Sequence, residues 1–152
     1  MAILVAIGEE NESNRAISVA YDLATTYDDR FVALHVVPNE DFRSHKESIR
    51  DIPGFGDFSI SQEADGASRF AQRAVQETLD SIEYDRVSMR GRVGDPAEEI
   101  LAEANALDPR FLVIGGRRRS PVGKALFGST TQEILLESDW PVVTTMAERP
   151  EE

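Results

Sequence analysis

Five short apolar runs, separated by segments whose apolar residues recur at helical spacing, leave few folds open to this chain. The first run, Ala2–Ile7, is continuous rather than alternating, which marks a strand covered on both faces. Gly8 ends it. The polar stretch Glu9-Glu10-Asn11-Glu12-Ser13 then supplies a cap and first-turn acids for a helix carrying Ala16, Ile17, Ala20, Leu23, Ala24 and Tyr27. That helix should end near Asp28-Asp29. Arg30–Val37 is a second apolar strand, stopped by Pro38. From Asn39 to about Ser59 neither period survives, and Pro53, Gly54 and Gly56 punctuate the segment, so a mobile or functional flap is expected.

Ser59 followed three places later by Gln62 reads as a capping box, opening a helix with Ala67, Phe70 or Ala71, Ala74 or Val75, Thr78, Leu79 and Ile82. Arg86–Gly91 is a third strand, less apolar and therefore expected at a sheet edge. Asp95-Pro96-Ala97-Glu98 joins an aspartate cap to proline at the first helical position, and Ile100, Leu101, Ala104 and Leu107 line the helix it starts. This helix should end before Asp108-Pro109. Arg110–Ile114 is a fourth strand running into Gly115-Gly116. Gly128-Ser129-Thr130-Thr131 opens a last helix with Ile134, Leu135 and Ser138, and Trp140–Met146 is a fifth strand. Helical crossovers between successive strands demand parallel pairing with helices on both faces. The expectation is an open α/β sheet in a single domain over residues 1–146, followed by a charged tail at 147–152.

Composition removes several classes of function. Cysteine is absent, which excludes disulfides, cysteine nucleophiles and thiolate metal sites, and two histidines, His35 and His45, are too few for a histidine-rich metal centre. The apolar start lacks the basic flank of a signal and falls short of the ~20 residues of a membrane span, so a soluble cytoplasmic protein is expected. A net charge of −12 repels nucleic acid and anionic membrane over most of the surface. Lys46 and Lys124 are the sole lysines beside fourteen arginines. An acidic, lysine-poor surface suits a cytoplasm of molar salt, where the Debye length shrinks to about 3 Å.

One segment runs against this charge. Between Arg110 and Gln132 there is no acidic residue, while Arg110, Arg117, Arg118, Arg119 and Lys124 give +5, leaving −17 for the rest. Gly115, Gly116, Gly123 and Gly128 allow backbone amides to approach a ligand, and Ser129-Thr130 lies where a helix N-terminus favours phosphate. Two readings stand: a phosphate or nucleotide site, or a flexible turn whose arginines pair with surface carboxylates.

The stretch Gly115-Gly116-Arg117-Arg118-Arg119-Ser120-Pro121-Val122-Gly123-Lys124-Ala125-Leu126-Phe127-Gly128-Ser129-Thr130 resembles the signature of the universal stress protein family: Gly, two residues, Gly, nine residues, Gly, Ser/Thr. The likeness extends to the first strand with its acidic loop, to Leu34-His35-Val36-Val37, to Gly91-Arg92-Val93-Gly94-Asp95-Pro96 and to Pro141-Val142-Val143. The composition makes it similar to a haloarchaeal member. The resemblance implies a five-stranded parallel sheet ordered 3-2-1-4-5, homodimers joined along the fifth strand and, in some members, ATP with magnesium across the ends of strands one and four. Carried over, Gly115 and Gly128 match motif glycines, Ser129 and Thr130 the positions that hold phosphates, and Val36 and Val37 the wall of the adenine. Two positions depart from the ATP-binding pattern. Gly8 stands where those members have aspartate, with Glu9 or Glu10 as the nearest substitutes, and Arg118 stands at the second motif glycine, beside Arg117.

Enzyme chemistry has little support. Gly123-Lys124 is followed by Ala125, which breaks the Walker pattern, and there is no Gly-x-Ser-x-Gly elbow. A receiver-type phosphoacceptor would want aspartate at the end of strand three and lysine at the end of strand five, where Arg90-Gly91 and Thr145-Met146 are expected instead. ATP turnover, if any, should be slow and incidental. His35 is expected to be a packed, hydrogen-bonded residue, His45 solvated, and Trp140 an anchor in the core or dimer seam. Two functions remain: a nucleotide-binding regulator of stress survival, or a dimeric protein-interaction module that binds no nucleotide and meets its partner through Asn39–Ser59.

Overall fold

A computed structural model describes residues 1–8, 13–49, 59–116 and 128–146. The elements are β1 (Ala2–Ile7), α1 (Ser13–Tyr27), β2 (Arg30–Pro38), α2 (Asn39–Ile49), α3 (Ile60–Thr78), β3 (Val87–Gly94), α4 (Pro96–Leu107), β4 (Phe111–Gly116), α5 (Ser129–Glu137) and β5 (Val142–Met146), with a 3-10 turn at Tyr84–Arg86. The strands form one sheet in the order β3-β2-β1-β4-β5, and all of its pairs are parallel. The expected architecture and strand order are those found.

Alternate residues of the central strands feed two cores. Ile3, Val5, Phe31, Ala33 and Val113 meet Ala16, Ile17 and Ala20 of α1 and Ala71 and Val75 of α3 on one face. Leu4, Val32, Leu34 and Leu112 meet Ala97, Ile100 and Ala104 of α4 and Ile134 of α5 on the other. Burial on both sides explains why β1, β2 and β4 read as unbroken apolar runs.

The edge strand β3 is held differently on its two faces. Toward α3 the approach is so close that a methyl group at Gly91 would fall on the carbonyl oxygen of Ala64 and within 2.8 Å of the Ala67 Cβ. Ser68 Oγ, on the same helix, donates to the Met89 carbonyl at 3.2 Å. Toward α4 the contact is ionic: Arg92 donates through Nε and Nη2 to Glu103 Oε2 at 2.9 and 2.6 Å, and through Nη1 to Glu99 Oε2 at 2.9 Å. Arg90 Nη1 lies 3.4 Å from Glu103 Oε1.

Arginines also fasten the amino ends of the strands. Asp29, 4% exposed, accepts from Arg110 Nε at 2.7 Å and lies 3.3 Å from the amine of Met1. The Arg110 hydrogen bond holds the Asp29 carboxyl below the usual carboxylate range, against the opposing pull of burial, and the Met1 amine adds to the lowering. Arg86 Nη1 donates to the carbonyls of Ala24 and Asp29 at 3.3 and 3.1 Å, while its Nε reaches Glu83 and its Nη2 reaches Asp28. A cleft of about 600 Å³ opens at this end, lined by Asp28, Asp29, Arg30, Glu83, Asp85 and Arg86.

Several local expectations need correction. Asn39–Ile49 is helical, not irregular: acidic Glu40 and Asp41 stand in its first turn and Lys46 in its last, so the macrodipole is complemented even though most of its surface is exposed. His45 is not merely solvated, since its Nδ1 lies 2.6 Å from Oε1 of Glu63, a residue 8% exposed. The first turn of α1 carries no acid, because the helix begins at Ser13. The third helix stops at Thr78, leaving Leu79 as its cap and Ile82 beyond it. Leu135 is 41% exposed, because α5 turns Thr131 and Ile134 inward. β3 runs to Gly94, past the expected end at Gly91, and the next residue is Asp95, whose carboxylate caps α4 by accepting from Glu98 N at 3.1 Å. The Ser59–Gln62 capping box forms as expected, in both directions. The tail at 147–152 and the Pro53–Gly56 punctuation lie outside the described residues.

Candidate functional site

In an open parallel sheet the place for a ligand is beyond the carboxyl ends of the strands, where the order reverses. Here that point lies between β1 and β4. β1 pairs with β2 as far as Ile7 opposite His35, but its ladder with β4 ends at Val5 opposite Val113. Ala6 and Ile7 on one side and Ile114, Gly115 and Gly116 on the other therefore stay in the sheet through β2 and β5 but are no longer laddered to each other. β4 continues beside β5, with Gly115 opposite Thr145 and Gly116 opposite Met146.

α5 brings its N-terminus to this end of the molecule. Gly128 is the cap residue, at φ −64° and ψ 166°, and its carbonyl accepts from Gln132 N at 3.0 Å. The amides of Ser129, Thr130 and Thr131 fall in the first turn, where no intrahelical carbonyl reaches them, and glycine has no side chain to cap them. Together with the positive end of the helix dipole, this favours an anion. Ser129 is exposed, Thr130 half-buried and Thr131 buried. The electrostatics are not uniformly helpful. Burial, then the nearby charges of Asp95, Glu137 and Glu98, push the carboxyl of Glu133 above its ordinary value, so acidic charge gathers one turn into the same helix.

The expected site residues thus divide into groups. Gly8, Gly115, Gly128, Ser129 and Thr130 stand on the elements that converge beyond the opened ladder, with Gly8 exposed and Gly115 half-buried. Val36 and Val37 are 8% and 7% exposed near the end of β2, and Val36 belongs to the core beneath α4. Glu9, Arg117 and Arg118 lie outside the described residues, as do Arg119 and Lys124. Arg110, counted into the positive segment, is at the opposite end of the sheet: it bonds Asp29 and lies over the ring of Tyr27 at 4.3 Å. Sequence spacing counts it with the others, but it stands at the amino end of β4, the length of that strand away from Gly116.

Two features of this end were not legible in advance. Thr131 faces inward beside Ile134, a three-residue spacing visible once the helix start is known. His35, 5% exposed, places Nδ1 2.7 Å from the carbonyl oxygen of Ile7 and stacks on Phe70 of α3, ring centroids 4.3 Å apart. It is packed and hydrogen-bonded, as expected; its partner was not foreseeable. Trp140 anchors the entry to β5, packing against the α4-side core and donating from Nε1 to Asp108 Oδ1 at 3.0 Å. Among the described residues, no group of three or more acidic or histidine side chains could hold a metal ion, and no helix is long and apolar enough to cross a membrane.

Residues 1–145 match the model of the universal stress protein family. A universal stress protein of Mycolicibacterium smegmatis is 49% identical over 49 residues, which is 32% of this chain; the chain spans 38% of that relative's length. Universal stress protein UspA from Lactobacillus plantarum has a similar structure, with a TM-score of 0.67 at 19% identity, covering 95% of this chain and 97% of that one. The universal stress protein of Archaeoglobus fulgidus in complex with dAMP gives a TM-score of 0.56 at 19% identity, covering 95% and 96%.

Proposed function

The chain belongs to the universal stress protein family, a family of the general stress response, and we propose that it serves there as a regulator that binds an adenine nucleotide without fast turnover. The observation that carries this reading is the meeting of the parted β1–β4 ladder with the α5 N-terminus that begins at Gly128. A phosphate beside Ser129 and Thr130 would accept from first-turn amides and hydroxyls, with Gly115 allowing close approach of the chain. The dAMP complex of the Archaeoglobus fulgidus protein supports the ligand class. ATP with magnesium is the fuller candidate: the metal would neutralise charge on the phosphates. Gly8 in place of an aspartate withdraws one acceptor for base or ribose, so the phosphate end carries most of the affinity in this proposal.

The protein works, in this reading, as one domain over residues 1–146 in the cytoplasm, paired as a homodimer along β5. Support for the pairing is local: β5 is an edge strand, and the helix before it presents Leu136 at 86% exposure and Leu135 at 41%. The −12 charge with fourteen arginines to two lysines favours a salt-rich, haloarchaeal cytoplasm. Titration calorimetry with ATP, with and without magnesium, and with AMP, in 2 M KCl tests the nucleotide. Saturable heat supports it; heat equal to dilution for every nucleotide refutes it. The second reading, a non-nucleotide interaction module, is favoured by the exposed face of α2, and it gains if dimers form while no nucleotide binds.

A further inference from the structure

β5 stands last in the strand order, so among the described residues one of its edges carries no neighbouring strand. Which backbone groups face that edge follows from the ladder with β4. Leu112 N donates to the Pro141 carbonyl at 2.9 Å, with Leu112 opposite Val142. Along a strand, successive residues turn their N–H and C=O groups to opposite sides. Pro141, Val143 and Thr145 therefore turn theirs toward β4, and Val142, Thr144 and Met146 turn theirs to the free edge. One of these outward groups is already taken. Arg15, an exposed residue in the first turn of α1, donates from Nη1 to the Met146 carbonyl oxygen at 3.4 Å.

The row fits a second copy of this chain. Val142, Thr144 and Met146 are centred on Thr144, so an antiparallel copy related by a two-fold axis sets Thr144 opposite Thr144 of the partner subunit. Val142 then stands opposite Met146 of the partner subunit, each pair exchanging N–H···O bonds. No residue from Val142 to Met146 is charged, so two chains of net charge −12 meet here without like charges opposed, whereas the other edge strand carries Arg90 and Arg92. We infer that Arg15 guards this edge: a second copy pairs with β5 only when each Arg15 gives up the carbonyl of its own Met146. The inference rests on the homodimer reading above and adds to it the register and its control. A partner strand would run about 4.8 Å from β5, and its Val142 N–H competes with the Arg15 guanidinium for that oxygen. A charged side chain laid over an edge is a known means of restraining strand-to-strand association.

Guard and register can be separated by substitution. Arg15→Met keeps most of the stem and removes the donor. Thr144→Pro removes the central outward N–H, which the ladder with β4 does not use, and an edge strand tolerates proline there. Sedimentation velocity of the unsubstituted chain, both variants and the double variant, over a concentration range in 2 M KCl that screens the lost charge, reads the dimer. Amide exchange by NMR reads the edge. Arg15→Met should dimerise about tenfold more tightly, about threefold for each of the two hydrogen bonds released. In that dimer the amides of Val142, Thr144 and Met146 should become as protected as those of Val143 and Thr145. Thr144→Pro should abolish the dimer in either background; should it unfold the chain instead, the exchange pattern alone decides the register. A dimer no tighter in Arg15→Met overturns the guard, and one that survives Thr144→Pro overturns the inference by placing the contact elsewhere. If the unsubstituted chain stays monomeric while Arg15→Met dimerises, the homodimer reading fails and the guard stands; monomers throughout refute both.

Discussion

Two glycines near the same helix should respond to alanine in opposite directions. A Cβ on Gly91 would meet the Ala64 carbonyl oxygen, come 2.5 Å from Ser68 N and stand 2.8 Å from the Ala67 Cβ. The first two are backbone atoms of α3 and cannot swing aside, so the whole helix must retreat from β3 by about 1 Å. A gap of that size forfeits roughly a quarter to a half of the local dispersion contacts, and overpacked cores lose about 1–3 kcal/mol, occasionally more. Taking about 3 kcal/mol, and about 2–4 °C per kcal/mol for a domain of this size, Gly91→Ala should lower the thermal midpoint by about 6–12 °C. Gly66, within α3 itself, has open space: the nearest atom to an added Cβ is Arg69 Nη2 at 3.9 Å. Gly66→Ala should gain roughly 0.5–1 kcal/mol of helix stability and raise the midpoint by about 1–4 °C. Scanning calorimetry in 2 M KCl measures both. A midpoint for Gly91→Ala within about 2 °C of the original would show that α3 does not press on β3 as described.

Asp29→Asn should be less stable at pH 7, and its deficit should shrink in acid. The lowered native pKa means that the ion-pair stabilisation is complete above about pH 4 and is lost as pH falls through the native value; urea midpoints between pH 7 and pH 2.5 check the convergence. Glu133→Gln should act the other way: the raised native pKa makes the original chain lose stability as pH rises through it, so the variant is the more stable at pH 7 and the two meet below about pH 4. It should also bind AMP more tightly, read by calorimetry, by relieving negative charge near the α5 N-terminus. Leu136→Glu should shift the proposed dimer toward monomer by sedimentation velocity while leaving the thermal midpoint of the monomer within about 2 °C, since this side chain is 86% exposed.

The parts of the fold that could be read from the sequence are those whose environment is simple. β1, β2 and β4 lie under helices on both faces, and their apolar runs say so. The sequence marks β3 only as far as Gly91, because Arg90 and Arg92 look like surface residues until Glu99 and Glu103, on a later helix, are placed to receive them. α2 turns little apolar surface inward, so no 3.6-residue period marks it in the sequence, and its tie from His45 to Glu63 spans eighteen residues. At the candidate site, glycine and hydroxyl residues announced the α5 N-terminus. The end of the β1–β4 ladder at Val5 and Val113 is a matter of register, which local composition does not encode, and the displacement of Arg110 to the far end follows from the direction of β4.

The arginine fastenings at the amino ends have a mechanical consequence. Arg86 joins the end of α1, the start of β2 and the approach to β3, while Arg110 joins β4 to the residue that precedes β2. Planar, multiply bonded guanidinium groups resist the splaying that a lysine would permit. The sheet is thus pinched at one end like the sprung end of a clothes-peg, and its jaws are β1 and β4, parted at the other. Between that fastened end and the crevice, the pairing of Ile3–Val5 with Phe111–Val113 sets how far apart the two jaws stand for a guest.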